Sequence, residues 1–232
     1  MSRARSFVLF PVFAILLVSP ALSQDDQPPA LKGWGLAVDP DHDCRIGLEG
    51  EKLTITVPPK RHDLSIEVGN VNAPRVLQDI KGDFIAQLKV SGKVRHTGNR
   101  TSEHYLAYHG AGFLLWQDER TYIRLDRASV VQEEVGTVHY ANYGLRQNGK
   151  LVDVEKTAIR IADHDAYLRL ERRGDRVFGS VSNDGVHWMS FDPYVVNLHA
   201  ELKLGVAEIN TSTEPFKAEF DEFEVFLRKE AK

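Results

Sequence analysis

One cysteine, Cys44, stands among the 232 residues, so no disulfide can close within the chain. Basic residues do not outweigh acids: 29 Lys and Arg against 33 Asp and Glu give a net charge of −4. With no basic patch standing out, a nucleic-acid partner has no support. Helical periodicity is scarce. Several enzyme signatures are missing as well. There is no Gly-rich phosphate cradle, no Gly-x-Ser-x-Gly elbow, no His-x-x-x-His pair and no cysteine cluster. Nucleotide, serine-hydrolase and structural-zinc chemistry are therefore without motif support.

Long apolar runs are also lacking, except at the start. Arg3 and Arg5 precede the apolar stretch Phe7–Val18, and Ala21-Leu22-Ser23 follow with the small residues a signal peptidase reads. The stretch is well short of the ~20 residues a membrane span needs, so residues 1–23 read as a secretory signal peptide. No cysteine follows it for lipid attachment. The expected location is outside the cytoplasm (periplasmic, cell-surface or secreted), with no membrane span after processing. Residues 24–33 open with Gln-Asp-Asp-Gln-Pro-Pro and read as a disordered lead-in. Residues 34–228 show no later break in composition and read as one domain.

What fills that domain is short alternating segments punctuated by Gly, Asn and Asp, the pattern of an all-β fold. Leu53–Val57, Phe84–Val90, Ala111–Gln117, Tyr122–Arg127, Ala158–Ile161, Ala166–Arg172, Arg176–Ser182, His187–Phe191, Lys203–Ile209 and Ala218–Phe226 each read as a strand. Burying about ten strands in one domain calls for two packed sheets. Gly174-Asp175 and Asn183-Asp184-Gly185 are tight-turn signals, so residues 166–191 read as a three-strand meander. Trp188 sits near the start of its third strand, where an aromatic packs on the turn or offers a platform to a sugar ring. Trp116, Leu125, Leu170 and Phe223 fall in the apolar phase of their strands and are expected in or beside the inter-sheet core.

Tyr122-Ile-Arg-Leu-Asp-Arg recurs as Tyr167-Leu-Arg-Leu-Glu-Arg. In each copy the aliphatic residues point one way and Tyr, Arg and the acid point the other. The repeat suggests neighbouring strands of one sheet, sharing an outer face of Tyr122, Arg124, Asp126, Tyr167, Arg169 and Glu171. That face is either a solvated lattice of ion pairs or a groove suited to a polyol, since Tyr and Arg planes pack on sugar rings while carboxylates accept hydrogen bonds from hydroxyls.

The run Gly110–Asp118 (GAGFLLWQD) followed by Tyr122-Ile-Arg-Leu resembles a concanavalin A-like sandwich family of unknown function, related to the C-terminal domain of bacterial β-xylosidases. The same holds for the Leu-Arg-Leu-Glu-Arg meander with Ser-x-Asp-Gly-x-x-Trp, and for Phe216-x-x-x-Phe220-Asp221-x-Phe223. His62-Asp63-Leu64 with Asn72–Leu77 is similar to members from planctomycete-type bacteria. The resemblance spans about residues 34–227. It implies a two-sheet jelly roll of the lectin/glucanase type, often in an accessory role.

Two clusters are candidates for chemistry. Glu219, Asp221 and Glu224 fit E-x-D-x-x-E, which in related glucanases carries nucleophile and acid/base on one strand; a retaining glycosidase needs two carboxyls about 5–5.5 Å apart. The alternation there slips at Asp221-Glu222, which is the mark of a β-bulge. Asp39, Asp41 and Asp43 place three carboxylates at alternate positions, a hard-oxygen set suited to structural calcium, although the loop is not an EF-hand. No other cofactor is implied. The leading reading is an exported, non-catalytic module binding carbohydrate or another cell-surface polymer. The alternatives are a glycoside hydrolase using the Glu219 cluster and a purely structural or adhesive envelope domain.

Overall fold

The computed structural model describes residues 28–152 and 157–228. The leader and the first residues of the lead-in lie outside these. Two antiparallel sheets pack face to face. Sheet I runs β1 (Ala30–Leu31), β2 (Gly35–Val38), β7 (Arg75–Lys81), β18 (Glu201–Asn210), β9 (Tyr108–Asp118), β10 (Thr121–Gln132), β11 (Gly136–Gln147) and β12 (Lys150–Val152), with β13 (Ala158–Arg160) also on β11. Sheet II runs β16 (Trp188–Ser190), β15 (Arg176–Ser182), β14 (Ala166–Arg173), β8 (Phe84–Ser91), β19 (Phe216–Leu227), β4 (Lys52–Val57) and β3 (Arg45–Glu49), with β17 (Tyr194–Val195) on β15. A small ribbon of β5 (Leu64–Ser65) and β6 (Asn70–Val71) stands apart from both. Ala30 and Leu31, at the end of the expected lead-in, pair with Leu36 and Gly35 and so belong to the fold.

The order of strands is not the order of the chain. β18 lies between β7 and β9, and β19 lies between β8 and β4, so the last two strands occupy central positions in their sheets. Lys81-Gly82-Asp83 looks like a hairpin turn but carries the chain from β7 in sheet I to β8 in sheet II. The meander β14–β15–β16 forms as expected, with Gly174 (φ 60°) and Gly185 (φ 76°) taking the left-handed backbone its turns require.

Strand alternation decides what enters the core. Phe113, Leu115, Ile123, Leu125, Tyr143 and Val206 of sheet I meet Leu53, Ile55, Leu88, Leu168, Leu170 and Phe220 of sheet II. Leu125 and Leu170 are fully buried, and Phe223 packs at the margin, stacked 5.0 Å from Trp34. Truncating either leucine to alanine would cost about 2–5 kcal/mol. Gly112 has no room for a side chain: a Cβ there would fall 2.0 Å from the Leu125 carbonyl oxygen.

Trp116 departs from the expectation. It lies on the outer face of sheet I with Leu114, in a second apolar cluster that includes Leu64, Leu77, Tyr122 and Ile209. The register explains this: Leu115 and Phe113 take the inward phase of β9, which turns Trp116 outward.

Candidate functional site

The two copies of the Tyr-x-Arg-x-acid pattern do not share a face. Tyr122, Arg124 and Asp126 lie on β10 in sheet I, whereas Tyr167, Arg169 and Glu171 lie on β14 in sheet II. Ile123 and Leu125 contribute to the same core as Leu168 and Leu170, between the sheets, so the two polar sets point in opposite directions. The expectation of adjacent strands is therefore corrected. Alternation states which phase is polar, but is silent on which sheet a strand joins.

The sheet I set is sealed. Residues 58–74, between β4 and β7, cross its outer face and carry the β5–β6 ribbon and a 3-10 turn at Ile66–Val68. Tyr122, Arg124 and Asp126 retain 0%, 4% and 1% of their exposure. The Ile66 N–H donates to Tyr122 Oη at 3.3 Å, and Arg124 Nη1 donates to the Leu64 carbonyl at 3.0 Å. Arg124 Nη2 lies 3.0 Å from Asp126 Oδ2, which also accepts from the Tyr108 hydroxyl. Burial opposes the guanidinium charge, but Asp126, Tyr108 and Asp63 more than offset it and hold Arg124 above the usual arginine range. Trp116 stacks on Tyr122 and lies beneath the Arg75 guanidinium. These side chains attach a cover; they do not face solvent.

The sheet II set is accessible. Register places Ser190, Ser180, Arg169, Gln87 and Glu224 in one row across five strands. Trp188, Ser182, Tyr167, Lys89 and Asp221 form the next row. Apart from Ser182, every one of these is half-buried or exposed. The Arg169 guanidinium lies 3.8 Å above the Trp188 ring and donates to Gln87 Oε1 at 2.8 Å. Trp188 is thus neither core nor a bare platform: it forms one half of a planar stack at the start of β16. Glu171 is held by Arg173 and Arg228, and the Arg173 hydrogen bonds, with burial opposing them, lower its pKa. Flat rings, forked donors and carboxylates on one open face are what recognition of vicinal hydroxyls requires.

Glu219, Asp221 and Glu224 also turn to this outer face, on central strand β19. The slip expected at Asp221-Glu222 is a β-bulge, with Glu222 in left-handed backbone at φ 52°. Lys52 lies 3.6 Å from Asp221 and 4.0 Å from Glu219. Asp221 and Glu224, but not Glu219, line a cleft of about 610 Å³ with Trp34 and Phe223.

Asp39, Asp41 and Asp43 have separate partners. Asp39 Oδ2 accepts the Cys44 N–H at 2.8 Å, Asp41 accepts from Asn72 Nδ2 at 2.7 Å, and Asp43 Oδ2 pairs with Lys60 at 2.6 Å. The set that converges among the described residues is Asp43, Cys44 and His62, with donor atoms all within 4.8 Å of one another. Reading the sequence did not place Gln87, Lys89 or His62. No local pattern points to them, because long-range pairing alone brings them to these sites.

No protein-family model matches the chain, and no curated protein matches it. Solved structures do. A functionally unknown protein from Saccharomyces cerevisiae matches at 14% identity and a TM-score of 0.66, over 84% of this chain and 97% of that one. Xylan β-1,4-xylosidase from Bacillus halodurans matches at 13% identity and a TM-score of 0.55, over 79% of this chain and 38% of the enzyme. A legume lectin-like domain from Entamoeba histolytica matches at 10% identity and a TM-score of 0.50, over 80% and 88%. The fold is a concanavalin A-like β-sandwich. This sandwich spans well under half of the xylosidase, and likeness at such identities extends to the fold alone. Among the described residues no helix is long and apolar enough to cross a membrane.

Proposed function

We propose that this sandwich is an exported, non-catalytic carbohydrate-binding module, and that its glycan lies across the outer face of sheet II on Trp188, Arg169, Tyr167, Gln87 and Glu171. One observation carries the reading. Of the two polar sets, that of sheet I is spent on fastening residues 58–74, while that of sheet II keeps its rings and forked donors accessible. Sandwiches of this fold in a xylan β-1,4-xylosidase and in a lectin-like domain make glycans the ligand class to try first. Exposed contacts of this kind are worth on the order of 1 kcal/mol each, so affinity in the micromolar to millimolar range is expected.

A glycan array probed with the purified protein, with and without calcium, tests this. Binding to one glycan class that is lost in the Arg169→Ala/Trp188→Ala double variant supports the proposal. Failure to bind any glycan, or binding indifferent to the double variant, overturns it and leaves the structural or adhesive reading. The hydrolase reading rests on Asp221 and Glu224 lining a cleft. Release of reducing ends from a bound glycan, abolished by Asp221→Asn or Glu224→Gln, would establish it instead.

A further inference from the structure

The loop between β2 and β3 meets the segment that covers sheet I at a cluster of different chemistry. His62 is fully buried, and its Nε2 has no hydrogen-bond partner although it lies 3.2 Å from Asp43 Oδ1. Cys44 Sγ lies 3.7 Å from the same oxygen. Lys60 occupies Oδ2 of Asp43 and leaves Oδ1 to the cluster. Asp39 follows the same pattern: Oδ2 accepts the Cys44 N–H, while Oδ1 is buried without a partner. A buried imidazole nitrogen without a hydrogen-bond partner is unfavourable, and a fold tolerates it where a ligand satisfies it.

We infer that Asp43 Oδ1, Cys44 Sγ and His62 Nε2 form a binding site for one divalent ion of the zinc class. Asp43 Oδ1 lies 3.2 Å from Nε2 and 3.7 Å from Sγ, and one donor atom of each residue lies within 4.8 Å of the other two. A four-coordinate ion with bonds of about 2.0–2.3 Å holds its ligands at such mutual separations after small adjustments. Donor chemistry sets the metal. One thiolate and one imidazole suit zinc or cobalt, whereas calcium takes oxygen ligands throughout. Binding replaces the thiol proton, which passes to buffer, with a metal–sulfur bond.

Access and anchoring are both present. Asp39 and Cys44 line a cleft of about 750 Å³ with His42, Arg75 and Glu119, so an ion reaches the thiol from solvent. The His62 backbone is fixed by a two-way bridge to Asn210 at the end of β18 (2.8 and 2.9 Å), and Nδ1 lies 3.5 Å from the Asn72 carbonyl. That second contact suits a ring whose Nδ1 carries the proton and whose Nε2 is free to ligate. The ion would tie the β2–β3 loop to the cover of sheet I in a chain that has no disulfide.

The test uses purified protein stripped with a chelator and titrated separately with Zn²⁺, Co²⁺ and Ca²⁺. One equivalent of zinc should bind, with a rise in the unfolding midpoint, and cobalt should give a thiolate-to-metal charge-transfer band. Cys44→Ser should abolish the band and weaken zinc at least tenfold while the protein stays folded. Asp43→Asn should also weaken zinc, and its side chain is not fully buried, so it serves if the cysteine variant fails to fold. A folded parent protein without the cobalt band, zinc affinity unchanged in both variants, or calcium bound by the parent as tightly as zinc would each overturn the assignment.

Discussion

Arg124 and Asp126, two residues apart on β10, form an ion pair of 3.0 Å that is almost fully out of water and is capped by the Leu64 carbonyl. Removing Arg124 would leave a buried carboxylate with the Tyr108 hydroxyl as its remaining partner. Arg124→Ala should therefore destabilise the protein by about 3–5 kcal/mol in urea unfolding. A loss below about 1 kcal/mol would show that residues 58–74 do not depend on this pair.

Arg169 offers the contrast. Its stack on Trp188 and its bond to Gln87 are half-exposed, and contacts of that kind contribute about 1 kcal/mol or less to folding. Arg169→Ala should leave the unfolding midpoint nearly unchanged and weaken glycan binding about tenfold. A fall in stability as large as that of Arg124→Ala would mark the residue as structural.

Glu208 is buried on the inner face of β18, where its Oε2 accepts the Ala218 N–H and its Oε1 has no partner. Burial pushes its pKa well above the carboxylate range, against the lowering effect of that hydrogen bond. A folded-state pKa raised above the unfolded value gives stability that is complete below about pH 4.5 and is lost as pH rises. Glu208→Gln keeps an acceptor for Ala218 and cannot ionise. It should raise the unfolding midpoint at pH 7 and bring no gain near pH 4; equal gains at both pH values would rule out ionisation as the cause.

His109 works in the opposite sense. It stacks on Phe216 at 4.5 Å, lies 4.8 Å from the His96 ring, and burial, helped by His96, lowers its pKa to about 4. A folded pKa below the unfolded 6.5 means that stability falls as pH drops from about 6.5 to 4, by about 3 kcal/mol for the full shift. His96 and His139, also lowered by burial, add to the slope. Midpoints measured across this window should decline less in His109→Phe than in the parent. Parallel profiles would remove His109 as the source.

The sequence speaks clearly about phase and poorly about partners. Leu125, Leu170 and the meander turns at Gly174 and Gly185 were legible because alternation and left-handed turns are local. β11 was not, since Gly, Asn, His and Tyr interrupt the contrast between its two phases. Nor could spacing reveal that Leu64, Ile66 and Val71 would lie on Tyr122 and Trp116, because two-residue strands have no period to read. The candidate face was half legible for the same reason. Tyr167, Arg169 and Glu171 sit where their phase puts them, while Tyr122, Arg124 and Asp126 obey the same phase beneath a cover. In the acidic loop, carboxylate spacing suggested a hard-metal site, and no local pattern showed that His62, from beyond β4, would lie beside Asp43.

The central positions of β18 and β19 set a timetable. Until residues 201–227 are available, β7 lacks β9 as a sheet-mate and β4 lacks β8, so a growing chain can complete neither layer. Hairpins such as β9–β10 can form early, but closure of both sheets waits for pairings between distant parts of the chain, which are slow to assemble. During that interval the bare strand edges are open to foreign strands.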